Sequence, residues 1–225
     1  MATQVRGVIL DVDGTLVDSN DAHARAWVEA MATNGYHVPF EKVRPLIGMG
    51  GDKVLPETLG LAKDSPEGKQ ISQLRQQIFQ SRYLPTIKAF PEAQELLQQM
   101  HEHGLKLVVA TSAEPDELKS LLALVGPHVA ELFEQETSSK DVKRSKPDPD
   151  IIDIALQRLG YAPHEVVMLG DTPYDIASAG RTGVKTIAFR CGGWGDHELK
   201  GAICIYHDPA DLFAHYATSP LVKGV

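Results

Sequence analysis

Residues 5–19 read VRGVILDVDGTLVDS, an apolar run that stops on two carboxylates, Asp11 and Asp13, followed at once by Gly14 and Thr15. The run from Val5 to Leu10 is short and aliphatic, without the polar alternation of a strand that has one wet face. Such a pattern belongs to a parallel strand buried on both faces. Unpartnered carboxylates cannot be carried into a core, so the strand must end where Asp11 begins. Taken alone, this end has two readings. Asp11 and Asp13 face one crevice, or they form a solvated Asp-Gly turn of the kind that closes many strands.

Four further apolar runs of strand length occur at residues 105–110, 166–169, 184–189 and 202–206. Helical periodicity separates them. Residues 91–102 place Ala93, Leu96, Leu97 and Met100 on one face before Gly104; residues 117–125 and 149–159 repeat the pattern and stop at Gly126 and Gly160. Strands alternating with helices predict an α/β fold, a doubly wound Rossmann-like parallel sheet whose ligand site lies at the carboxyl ends of its strands. Residues 17–88 break the rhythm: they carry helical periodicity at 22–31 and 71–84 and no convincing strand. A gap of roughly 70 residues is too long for a simple crossover. The expected organisation is therefore a core of residues 1–16 and 89–225 with an inserted helical domain at 17–88. The tail from Thr218 onward is expected to fray.

The other strand ends decide between the readings of Asp11 and Asp13. One run leads into Thr111-Ser112-Ala113, a hydroxyl turn that offers donors to an anion or caps a helix. Another leads into Gly170-Asp171-Thr172-Pro173-Tyr174-Asp175, again two carboxylates after a strand. Lys146 sits between them in Ser145-Lys146-Pro147-Asp148-Pro149. In a doubly wound sheet all of these segments share one edge. Carboxylates suit a hard cation such as Mg²⁺, and a lysine with hydroxyl donors suits phosphoryl oxygens.

With these residues in their order the sequence closely resembles the haloacid dehalogenase-like superfamily, whose members are mostly phosphatases. DVDGTLVDS is similar to its first motif, Thr111 to its second, Lys146 with Pro147 to its third and GDTPYD to its fourth. The resemblance implies a small phosphorylated metabolite as substrate. It makes Asp11 a nucleophile that forms an aspartyl-phosphate and Asp13 the acid and base. Gly14, Thr111, Ser112, Ala113 and Lys146 would bind phosphoryl oxygens. Mg²⁺ would be held by Asp11, the Asp13 carbonyl and Asp171, with Asp175 direct or one step removed. Asp13 favours phosphate handling over dehalogenation, which has no comparable need for a second acid.

The insert resembles the family's C1-type cap, and residues 46–53, LIGMGGDK, resemble its specificity loop. Gly48 and Gly50 would allow close backbone approach there, and Lys53 would reach an anionic substrate, unless the segment is only a turn with an exposed lysine. The glycines do not form a dinucleotide fingerprint, which needs a preceding strand and another spacing. His23 and Trp27 lie four residues apart on the first insert helix. A sugar-phosphomutase branch carries a histidine near His23, but that branch tends to have basic residues where this chain has Ile47 and Gly51. Lys140, Lys143 and Arg144 read as a solvated basic run beside Lys146.

Composition sets outer limits. The formal charge of −8 argues against nonspecific nucleic-acid binding. No window approaches the length of apolar sequence that spans a bilayer. Two cysteines, Cys191 and Cys204, match neither a disulfide framework nor a zinc motif, which suits a reducing cytoplasm.

Overall fold

The computed structural model describes residues 3–138 and 144–225, and for Gln135 and Glu136 the backbone alone. Its centre is a six-stranded parallel sheet: β1 (Gly7–Leu10), β2 (Lys106–Ala110), β3 (Phe133–Thr137), β4 (Val166–Gly170), β5 (Lys185–Phe189) and β6 (Cys204–Tyr206), in spatial order β3-β2-β1-β4-β5-β6. From β1 the chain steps outward to β3, returns to the other flank of β1 as β4, and steps outward again. The order reverses between β1 and β4, where the loops leaving their carboxyl ends diverge and open a crevice.

The uninterrupted apolar runs follow from burial on both faces. Ile9, Val108 and Met168 face α7 (Asp150–Leu159) and α8 (Pro173–Thr182) through Ile151, Ile152, Ala155 and Ala179. Their neighbours Leu10, Val109, Leu169 and Phe189 face the other way. There they join Leu96, Leu97 and Met100 of α5 (Ala93–Glu102), Leu118 and Leu121 of α6 (Pro115–Val125), and Leu212 of α9 (Pro209–Ala214).

Between β1 and β2 lie α1 (Asn20–Thr33), α2 (Phe40–Val43), α3 (Gly51–Leu59) and α4 (Pro66–Ile78), with no strand. α4 runs on into a π-helical turn at Phe79–Tyr83. Trp27, Ala30 and Met31 of α1 are buried with Val54, Leu55, Ile71, Ile78 and Phe79, in an apolar cluster continuous with the core of the sheet. The chain enters and leaves this segment side by side: Val17 pairs with Ala89, Asp18 N donates to Lys88 O (2.9 Å) and Phe90 N to Leu16 O (2.9 Å).

Two expectations change. β3, Phe-Glu-Gln-Glu-Thr, is absent from the sequence reading because a charged edge strand carries no apolar run; its parallel pairing with β2 makes it a strand. The carboxyl end does not fray. Ser219 and Leu221 are buried, α10 (Pro220–Lys223) follows, and Thr3 and Val225 exchange backbone bonds of 2.8 and 2.9 Å. Helix starts also move by one or two residues: Glu92 in a left-handed conformation precedes α5, and Pro149 precedes α7 instead of opening it.

Burial of Leu221 stabilises the fold by about 2 kcal/mol. Deleting residues 219–225 is therefore expected to lower Tm by about 4–8 °C in a domain of this size. Thermal unfolding checks this, and an unchanged Tm would return the tail to the frayed state.

Candidate active site

Three loops deliver four charges to the β1–β4 crevice. Asp11 extends β1 by one residue, its amide donating to Leu169 O at 3.0 Å, and then leaves the sheet. Lys146, from the connection between β3 and α7, places Nζ 2.8 Å from Asp11 Oδ1 and 2.8 Å from Asp175 Oδ1. Asp175 has two tasks. Its Oδ2 accepts from Thr172 N (3.0 Å) and Thr172 Oγ1 (2.7 Å), closing the first turn of α8 in a capping box, while Oδ1 meets the lysine. Asp171 accepts from Thr15 Oγ1 (3.0 Å) and Asn20 Nδ2 (2.9 Å). Backbone crowds in behind it: a Cβ on Gly192 would stand 1.8 Å from Asp171 Oδ2.

All four groups are buried. Asp11, Asp171 and Asp175 bring carboxylate oxygens within 4.8 Å of one another, against the single positive charge of Lys146. Burial pushes Asp11 well above the usual carboxylate range; Lys146 opposes that shift, and Asp175 and Asp171 add to it. Asp171 is pushed up to about 7, by burial first and by Asp175 second, with Asn20 and Thr15 pulling back. Burial works against the charge of Lys146, yet Asp11 and Asp175 hold its pKa above the ordinary lysine value. A carboxylate cluster with one lysine has charge to spare for a cation, and its donors are the hard oxygens that such an ion takes.

Asp11 also reaches a cavity of about 330 Å³, whose walls include Asp13, His23, Arg75, Thr111 and Ser112. Thr111 stands at the end of β2, its hydroxyl accepting from Ala113 N at 3.1 Å. Ser112 Oγ is buried with no hydrogen-bond partner among the described residues, a donor for a ligand's oxygen. Asp13 is held by Ser19 Oγ (2.5 Å) and His23 Nε2 (2.7 Å), both at Oδ1. Burial disfavours its charge, but His23, Ser19 and Arg75 outweigh burial and lower its pKa. Behind His23, an Arg75 amino group lies 2.5 Å from Nδ1, and another donates to Glu117 Oε2 at 2.9 Å. Guanidinium has no acceptor, so Nδ1 must accept and Nε2 must carry the hydrogen that Asp13 receives. His23 stacks on Phe79, with ring centroids 4.1 Å apart.

Of the residues singled out in the sequence, Asp11, Lys146, Asp171 and Asp175 converge, and Asp13, Thr111, Ser112, Ala113, His23, Gly48 and Gly50 line the cavity. Two residues go elsewhere. Gly14 does not face the cavity, and its amide is spent on Val17 O at 2.8 Å, which leaves nothing for a phosphoryl oxygen. Lys53 does not line the cavity either; Nζ pairs with Asp148 Oδ2 at 2.8 Å. Arg144 pairs with Asp150 at the surface, as a solvated basic residue should; Lys140 and Lys143 lie outside the described residues. Cys191 and Cys204 are unpaired thiols. Asn20, Arg75 and Glu117 went unread, since nothing local marks a contact made across 42 or 151 residues.

A profile of the haloacid dehalogenase-like hydrolase family matches residues 8–189. A phosphoglycolate phosphatase from Yersinia pseudotuberculosis is 31% identical over 218 residues, 95% of this chain and 90% of that protein. The crystal structure of a hydrolase from Pseudomonas syringae superposes with a TM-score of 0.87 at 28% identity, covering 95% of this chain and 98% of that one. A β-phosphoglucomutase-like protein from Bacteroides vulgatus gives 0.84 at 26% identity, covering 96% and 89%. The chain belongs to the haloacid dehalogenase-like hydrolase family, on its phosphatase side.

Because Asp171 is raised to about 7 in the folded chain, the native state without a cation holds that proton more tightly than the unfolded one. The corresponding stability is whole below about pH 4 and is lost as pH rises through about 7. With chelator present, the denaturation midpoint should fall across this window, and Asp171→Asn should flatten the fall. Denaturant titrations at several pH values test this, and equal slopes for both proteins would contradict it.

Proposed function

We propose that the chain is a Mg²⁺-dependent phosphatase of small phosphomonoesters, phosphoglycolate-like or sugar phosphates, working in the cytoplasm through an aspartyl-phosphate on Asp11. One observation carries the reading: the Asp11 carboxylate belongs both to the charged cluster and to the cavity wall. A phosphoryl group entering from the cavity would meet that carboxylate, with Lys146 beside it and Thr111 and Ser112 on the wall. Asp11, Asp171 and the Asp13 carbonyl, with Asp175 adjoining, would hold Mg²⁺, which when bound neutralises phosphoryl charge.

The residues divide the chemistry. An Asp11 oxygen attacks phosphorus as the ester bond breaks, and Asp13 gives its proton to the departing oxygen. Ser19 and His23 occupy Oδ1 of Asp13, which leaves Oδ2 for that proton. In the second half Asp13 takes a proton from water, which attacks phosphorus and frees Asp11. The low pKa of Asp13 suits the base half. The negative charge of a bound ester raises it toward the acid half.

Residues 17–88 form the cap in this reading, and the paired backbone at Val17 and Ala89 supports those limits. A cap over the cavity excludes water and surrounds the leaving group. The β-phosphoglucomutase-like neighbour raises a second reading, a sugar phosphomutase that needs a bisphosphate activator. Ile47 and Gly51 stand on the cavity wall where that branch tends to carry basic residues, which favours hydrolysis, while Lys63, Lys69 and Arg75 place positive charge elsewhere on the wall.

Phosphate release from a panel of esters, with Mg²⁺ and with chelator, tests the reading. Asp11→Asn should remove turnover, and Asp13→Asn should slow it by about 10²–10⁴-fold. Turnover that survives chelation, or a normal rate in Asp11→Asn, would overturn it, and isomerised sugar phosphate without net release would select the mutase.

A further inference from the structure

Lys146 reaches Asp11 from a loop, so its aim depends on what holds that loop. On the core side, Ser178 Oγ of α8 donates to Asp148 O at 2.7 Å and Arg181 donates to Pro147 O at 2.9 Å. The other support comes from the helical segment, at the start of α3. Gly50 N donates to Ser145 Oγ (3.0 Å), Asp52 Oδ2 accepts from Ser145 N (3.2 Å), and Lys53 Nζ pairs with Asp148 Oδ2 (2.8 Å). The approach is close enough to demand glycine: a Cβ on Gly50 would lie 2.8 Å from Ser145 Cβ. These contacts fall on residues either side of Lys146, one before it and one two after it.

We propose that Asp52 and Lys53 are positioning residues, docking α3 onto Ser145 and Asp148 so that the backbone between them presents Lys146 to Asp11. The inference rests on reading Lys146 as the phosphoryl-binding lysine. It assigns Lys53 to the protein and not to the substrate. Nζ is committed to a carboxylate, and that pairing is the foremost influence lowering the pKa of Asp148. Gly48 and Gly50, just before α3, line the cavity. The helix that touches the Lys146 loop therefore starts from the wall that touches the ligand. A displacement of about 1 Å in a reacting group can cost about 10²-fold in rate, so a modest contact suffices.

The mode of action is visible in how loss is distributed over substrates. A residue acting through Lys146 affects every ester alike; one that touches leaving groups affects them unequally. Lys53→Met should lower kcat/KM about fivefold, the scale of one partly exposed ion pair, by the same factor across an ester panel with Mg²⁺. Lys53→Arg should keep the wild-type rate, and Lys53→Met with Asp148→Asn should be no slower than Lys53→Met alone. Hydrogen exchange on the whole chain supplies a readout independent of turnover: the amides of Ser145, Lys146 and Asp148 should exchange faster in Lys53→Met and Asp52→Ala, and at the wild-type rate in Lys53→Arg. An ester-dependent loss, or unchanged rates with unchanged exchange, would overturn the proposal. Should the wild-type chain hydrolyse no ester, the phosphatase reading falls, and exchange at those amides alone decides whether α3 holds that loop.

Discussion

Asp11, Asp171, Asp175 and Lys146 are buried together, and most of the architecture answers to that fact. Charges removed from water are tolerated only when partnered, and removing one partner strands another. The four groups arrive on three loops, so the charge balance requires those loops to meet at one point. The sheet order arranges it by placing β1 and β4 side by side, with β2 on the other flank of β1. Even the capping of α8 is drawn in, since Asp175 closes the helix with one oxygen and meets Lys146 with the other.

What was legible in the sequence follows from how local each signal is. Strands buried on both faces must be apolar throughout, and groups at their ends must be polar, so Asp11, Thr111 and Asp171 could be found from strand boundaries alone. The resemblance then gave Lys146 its place. β3 was not legible because a polar edge strand is defined by its neighbour. The partners of Lys53 and Gly14 were not legible for a related reason. A lysine beside glycines suggests an anion site and the resemblance implies a phosphate contact at Gly14, yet Asp148 and the Val17 carbonyl take those donors. Competition for a donor is a tertiary matter that spacing does not encode.

The helical segment contributes little charge to the cluster but much of the control over Asp13. His23 and Arg75 lie in it, while Asp13 and Glu117 lie outside it. The Glu117–Arg75 pair aims the guanidinium, the guanidinium fixes the His23 tautomer, and the tautomer gives Asp13 a donor. Phe79 stacks on the His23 ring and restricts its tilt. The π-helical turn begins at Phe79, a local irregularity of the sort that re-aims side chains in long helices.

Of the contacts that cross from the helical segment to the loops of the sheet, two sets would serve different ends of the proposed reaction. Arg75 and His23 would set where a proton sits on Asp13, and α3 would set where Lys146 sits against Asp11. Both end on the walls of the cavity that a leaving group would fill. The sheet alone could assemble the charges, because its strand order already brings their loops together. It does not supply the side chains that meet Asp13, since Ser19 and His23 both belong to residues 17–88. In the proposed reaction Asp11 and Asp13, only two residues apart in sequence, are steadied through different helices of that segment, α3 by way of Lys146 and α1 with α4 by way of His23 and Arg75.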